Sequence, residues 1–513
     1  VKTIDAGGHI HMITPFGFLQ PQDRVTPEQT TRGLHMLLLD GVCSQIMGVL
    51  TGGAFLVAFA LMLGASNATI GLIAAIGPLT QLLQIPAIFL VDRLRRRKLL
   101  VVTSSFTSRL FWLLVAALPF AVPAGARVPA LLISLFMYFG LGTISGCAFN
   151  SWMRDFVPQD VMGGYFGKRM AVSTAVGAAL TVVAGVAVDL GSRAITNDFW
   201  VYSALFAVGA AAGLTGVLFL GLIPEPRMTE PPAGKLLAVF AEPFRDKVFR
   251  PLLVFLGSWN FAVNLAAPFF VVYMLQRLGM TMGWVLGLSV LSQITNVLFF
   301  RVWGRLADRF TNKSVLSVSG PMFIASIAIW PFTTMPEQHI LTVPLLVLIH
   351  ILAGMSTAGV NLCTANIALK LAPRGNATSF LATNALVSGA AATVAPIVAG
   401  LGADWFADKK LDLSFRWTAG AGIERPLELP VVSLSGLDFL FAIAVVAGLH
   451  AMHRLLAVRE EGEVEEKVVL DSLTLQTRKA VRHLSNVAGL RHLTYFPYEI
   501  LKTIVAKPFR REL

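Results

Sequence analysis

Twelve long, charge-poor apolar segments separated by short turns dictate what this chain can become. They run near 34–63, 70–91, 99–121, 128–152, 170–190 and 199–223, then near 252–275, 282–303, 315–332, 340–369, 380–406 and 437–456. A helix rises about 1.5 Å per residue and the hydrocarbon core of a bilayer is about 30 Å thick, so about 20 apolar residues span it. Only 14% of the 513 residues are charged, against about 25% in a soluble domain. A membrane barrel would instead alternate polar and apolar residues in strands of about ten. The expected fold is an all-α polytopic membrane protein with twelve transmembrane helices.

Lys and Arg set the orientation. One set of turns holds Arg93, Arg95, Arg96, Arg97 and Lys98, then Arg154, Lys168 and Arg169. The same end later holds Arg301, Arg305, Arg309 and Lys313, then Lys370 and Arg374; the opposite short turns contribute Arg127, Arg193 and Arg277. The positive-inside rule makes the basic end cytoplasmic, with both termini inside and the chain in the cytoplasmic (inner) membrane. The net charge of +12 is thereby read as membrane orientation, and no nucleic-acid partner is expected. Cys43, Cys147 and Cys363 lie far apart in apolar runs with no CxxC spacing, so neither a metal site nor a cofactor is expected.

The expected organisation is a polar cytoplasmic N-terminal segment (1–32), a six-helix bundle (33–223), a Pro-rich charged linker (224–250), a second six-helix bundle (251–457) and a cytoplasmic tail (458–513). The tail opens with Glu460, Glu461, Glu463, Glu465 and Glu466, then interleaves Arg478, Lys479 and Arg482 with leucines. A basic amphipathic helix on anionic lipid is one reading; a solvated tail, with or without a cytoplasmic partner, is the other. The two bundles repeat one another. Asp308 minus Asp92 is 216, as are Arg309 minus Arg93 and Gly287 minus Gly71; Asp404 minus Asp189 and Pro373 minus Pro158 are both 215. Parallel repeats of this kind are a transporter architecture.

After the eighth segment the chain reads GRLADRFTNKS, in which Gly304, Asp308, Arg309 and Lys313 resemble the cytoplasmic signature of the major facilitator superfamily. The first-half copy, LVDRLRRRKLLV, matches through Asp92, Arg93, Arg96 and Arg97, with Ile88 where the signature has Gly and Arg95 in place of a second Gly. The resemblance covers about 34–456. It implies two pseudo-symmetric six-helix halves that move a small solute by alternating access, with the signature residues as a gate. An Asp at a helix end can accept from a neighbouring helix N-terminus and pair with Arg in one state only, biasing the equilibrium. Arg95, Arg96, Arg97 and Lys98 are read mainly as orienting charge. In this family the first, fourth, seventh and tenth helices line the cavity, which carries over to Ser44, Gln45, Tyr138, Asn150, Trp259, Asn260, Asn264, His350, Asn361 and Asn366.

Ionisable residues inside a span are costly and mark function by default. Arg109 falls near mid-span, and Asp40 is its candidate partner, either as a static brace or in coupling. Asp40 is also a candidate protonation site for proton coupling, unless it is simply a residue at the cytoplasmic end of its helix, the reading favoured here. His350 can titrate near neutrality or be hydrogen-bonded structure. No GxxxxGK[ST] run, paired carboxylates, His cluster or activated nucleophile argues for a pump or an enzyme. The leading function is a secondary active transporter with protons as a candidate coupling partner; the alternative is a non-transporting receptor or assembly factor of the same fold acting through its tail.

Overall fold

The computed structural model describes residues 2–4, 10–12, 19–158, 162–228, 242–334, 337–373, 377–417, 427–462, 464 and 468–473. Among them, eleven helices are long and apolar enough to cross a membrane, and a twelfth span is broken. The first half comprises Pro27–Met62, the broken second span Asn67–Leu83 with Pro86–Leu94, then Arg97–Ala121, Ala124–Phe156, Met162–Ala194 and Asp198–Gly221. The second half comprises Phe249–Arg277, Met282–Arg309, Asn312–Thr333, Thr342–Leu371, Ala377–Phe406 and Leu437–Leu455.

Local chemistry places the starts and breaks. Thr26 and Gln29 form a reciprocal capping box ahead of Pro27, so the first helix begins seven residues before its apolar run. Ser66 and Thr311 cap the second and ninth spans by accepting from Thr69 N and Ser314 N. Two prolines, Pro78 and Pro86, bracket a 3₁₀ turn at Gln81–Leu83 where the second span bends by 46°. Arg95, the residue in place of a signature Gly, ends that span in the left-handed region at φ 51°, a conformation that glycine adopts at far lower cost.

Two small antiparallel hairpins were not expected in an all-α chain: β1 (Lys2–Ile4) with β2 (Ile10–Met12), and β3 (Lys410–Trp417) with β4 (Leu427–Ser435). The second occupies the connection between the eleventh and twelfth spans. Leu411, Leu413, Phe415 and Trp417 alternate with polar residues at the period of two that a strand requires.

Packing distinguishes the two ends. Away from the basic turns, one continuous apolar core joins the halves, from Phe55, Phe59 and Ile73 through Ala184 to Val285, Leu286, Ala395 and Ala399. Toward the basic turns the core divides. Leu37, Trp152, Phe156 and Ile223 pack within the first half, and Phe249, Trp303, Leu316 and Phe380 within the second.

Candidate functional site

At the end opposite the basic turns, each half reaches across to the other. Asp189 on the fifth span accepts from Gly283 N, at the start of the eighth, at 2.9 Å. Asp404 on the eleventh accepts from Asn67 N and Ala68 N, at the start of the second, at 3.0 and 2.9 Å. These are the two aspartates matched at offset 215, and each carboxylate caps the positive end of a helix in the opposite half. The helices touch backbone to backbone there: a Cβ on Gly400 would come within 2.5 Å of Asn67 O.

A cavity of about 560 Å³ opens inside the first half, lined by residues between Asp40 and Leu220. Its wall carries Asp40, Arg109 and Arg169 among Ser44, Gln81, Gln84, Ser105, Ser108, Tyr138, Ser145 and Asn150. Arg109 lies twelve residues from either end of Arg97–Ala121. Its Nη1 donates to Gly213 O, its Nη2 donates to Ser44 Oγ at 3.0 Å, and Nη2 stands 3.7 Å from Asp40 Oδ1. A methyl on Gly216 would meet Arg109 Nη1 and Asp40 Oδ1 at 3.0 and 3.1 Å, so the sixth helix leaves room for this pair by lacking a side chain. Arg169 is a second cation that the sequence did not place here. Its Nη2 lies 3.4 Å from Asp40 Oδ2 and its Nε donates to Leu37 O. Two guanidiniums against one carboxylate leave the wall with one formal positive charge.

Asp40 stands thirteen residues inside the helix that begins at Pro27 and is 3% exposed. The favoured reading of it as a helix-end residue is thus corrected: the capping box starts the helix earlier than the apolar run suggests.

At the basic end each half has its own clamp. Glu225 accepts from Arg97 N at 2.8 Å and Lys98 N at 3.1 Å, while the buried Arg97 guanidinium pairs with Glu225 and with Asp155. Arg97 is therefore not merely orienting charge, whereas Arg93 and Arg96 are exposed. In the second half Glu460 accepts from Lys313 N and Asn312 Nδ2 and pairs with Lys370 Nζ, at 2.8, 3.0 and 2.8 Å. Burial alone would raise the Glu460 carboxyl; the Lys370, Lys313 N–H and Asn312 bonds outweigh it and hold the pKa below the ordinary 4.5. Val458, Val469 and Leu473 are buried in the second half's core, so the start of the tail is docked. The basic stretch from Arg478 onward lies outside the described residues, as does Arg374.

Other predicted residues scatter. Asp308 is exposed and, among the described residues, within 4.0 Å of no basic group; Arg309 lies over the Phe310 ring at 5.1 Å and Gly304 faces Leu362. Asp92 is half-buried at the end of the second span. Tyr138 lines the cavity, but Gln45 packs on Gly177 at the fifth helix. Trp259 is buried against Phe323. Asn260 and Asn264 donate to Leu256 O and Asn260 O one turn back, and the Asn361 residue is exposed. His350 contacts Leu346 O through Nδ1 and packs on Trp330. None of these second-half residues lines the cavity. The missed lining residues Ser105 and Ser108 belong with Arg109 to one face of the third helix, Ser108 and Arg109 standing three and four residues after Ser105, a pattern that was legible.

Among curated proteins, none matches this sequence. Solved structures do match. A mutant of the nucleoside transporter NupG is 15% identical with a TM-score of 0.63, over 84% of this chain and 100% of that one. A bacterial homologue of the iron transporter ferroportin in an inward-facing state is 11% identical with a TM-score of 0.59, over 85% and 100%. An inward-facing, unoccupied bacterial homologue of the human lysosomal transporter Spinster is 15% identical with a TM-score of 0.53, over 89% and 99%. The sequence itself fits the family model described as Major Facilitator Superfamily across residues 41–421. With the repeated halves, the signature turns and that match together, the chain belongs to the major facilitator superfamily and is a secondary transporter.

Proposed function

We propose that this transporter carries a small solute bearing one anionic group, in symport with a proton, by rocking its halves about a first-half cavity. The observation that carries this reading is the wall itself: Asp40, Arg109 and Arg169 leave one positive charge uncompensated, with Asp40 and Arg109 buried in the bundle. A fixed charge in such surroundings is costly, and a solute anion offsets it. Arg169, with its side chain 23% exposed, is the guanidinium a solute reaches first. Pairing with the solute frees Asp40 to take a proton from water, so anion and proton cross together without net charge. The basic end is the cytoplasmic one in the inner membrane, with both termini inside. The split core there and the joined core opposite correspond to an inward-facing state, in which Asp308 awaits partners that form when the inner ends close. Its substitution by Asn is expected to slow transport while leaving membrane insertion intact.

The test is uptake into proteoliposomes of matched pairs that differ only in a carboxylate or its amide, with and without an inward proton gradient. The carboxylates should enter, driven by the gradient, and Asp40→Asn should abolish the drive while retaining exchange. Uptake of amides equally well overturns the substrate class. Gradient-driven uptake by Asp40→Asn overturns the coupling. No uptake of any solute favours the receptor reading.

A further inference from the structure

Where the linker meets the seventh and twelfth spans, a second cavity of about 380 Å³ is lined by Arg245, Asp246, Lys247, Arg250, Val254 and Arg454. Four cations face one carboxylate, a formal charge of +3. That carboxylate is already committed: Asp246 Oδ1 accepts from Val248 N and Phe249 N at 2.8 and 2.7 Å, capping the seventh span. Among the described residues none of the four cations has an acidic partner within 4.0 Å; Arg454 makes one contact, Nε to His450 Nε2 at 3.3 Å. Arg250 is the second residue of its helix and Arg454 the second from last of its own, which puts both guanidiniums at the membrane–water boundary. Around them Phe244, Val248, Val254 and Leu456 are 48%, 52%, 43% and 68% exposed. Clustered cations at headgroup depth, ringed by exposed apolar side chains and with Val254 one turn deeper along its span, match one molecule in two chemistries.

We infer that this pocket binds the phosphate headgroup of an anionic phospholipid, with an acyl chain lying along the exposed apolar rim. A free phosphate would satisfy the cations but gain nothing from Phe244, Val248, Val254 and Leu456. Retained lipid is therefore the expected occupant. The site is independent of the solute cavity, and its test does not involve transport.

The test is native mass spectrometry of the full chain released from micelles doped with phosphatidylglycerol, phosphatidylcholine, or phosphatidylcholine plus inorganic phosphate. The wild type should retain phosphatidylglycerol selectively, and R250Q/R454Q should lose about thirtyfold of that selectivity. R250K/R454K should keep most of it, which separates lost charge from lost fold. R301Q/R305Q, two exposed cations outside the pocket, should change it little. Equal retention of the two lipids, an equal loss in R301Q/R305Q, or displacement of the lipid by millimolar phosphate would each overturn the assignment.

Discussion

Each half ties the start of its third helix to a glutamate that follows its sixth, yet the two ties use different charges. Positions related by 215 in sequence are Arg97 and Asn312, and again Asp155 and Lys370. In the first half the counter-cation sits on the third helix and pairs with Glu225 and Asp155; in the second it sits on the fourth and pairs with Glu460. What both keep is a carboxylate on the backbone N–H groups at the helix start. The helix end needs an anion there; which helix supplies the cation is exchangeable. The interiors diverge further. The first half holds three charges, Asp40, Arg109 and Arg169, around a polar cavity, whereas the positions 215 further on in the second are Phe255, Ile324 and Asn384, none of them charged. On the proposed function, recognition is concentrated in one half, and the other supplies a packed body against which it moves.

The largest effect that would break this contrast is expected at Asp40. Asp40→Ala strands two guanidiniums and should destabilise the fold by about 3–5 kcal/mol, whereas Arg109→Ala leaves Asp40 with Arg169 and should cost less. Thermal unfolding of both variants and of the double mutant measures the ranking; equal losses would remove Arg169 from the site. Next come the clamps. Glu225→Ala exposes a fully buried Arg97 and is expected to cost about 2–3 kcal/mol, with Glu460→Ala costing about 1–2, because the partner Lys370 has its side chain 52% exposed. The Glu460 contribution has a definite pH sign. Its folded pKa is depressed, so the stabilisation is fully present above the ordinary value of 4.5 and is lost as pH falls below that through the folded value. A stability–pH curve for Glu460→Gln should therefore converge on wild type in acid. The smallest effect is a gain: Arg95→Gly relieves a left-handed arginine and should stabilise by about 0.5–1 kcal/mol.

The span pattern, the repeat and the family were legible because hydrophobicity and charge spacing are carried by residue type. The partners were less so. Asp189 and Asp404 were matched as a repeat, but what they bind is backbone N–H, which has no sequence signature. Within Arg95–Lys98 the sequence could not say which arginine turns inward; the break at Arg95 rotates the next helix so that Arg97 is buried. The amides Asn260 and Asn264, carried over as cavity residues from the family resemblance, donate to carbonyls of their own helix, a bond that residue type does not announce. Arg169 looked like one more orienting charge because nothing local distinguishes it from Lys168.

In alternating access the two halves exchange which end is closed. Spin labels at Arg193 and Trp284 report the end held by Asp189 and Asp404, and labels at Arg154 and Arg305 report the basic end. In the wild type the first pair should be short and the second long. In Asp189→Asn/Asp404→Asn, which weakens both caps, the population with the distances reversed should rise about fivefold. Distances that stay fixed in both variants, or that lengthen at both ends together, would contradict alternating access.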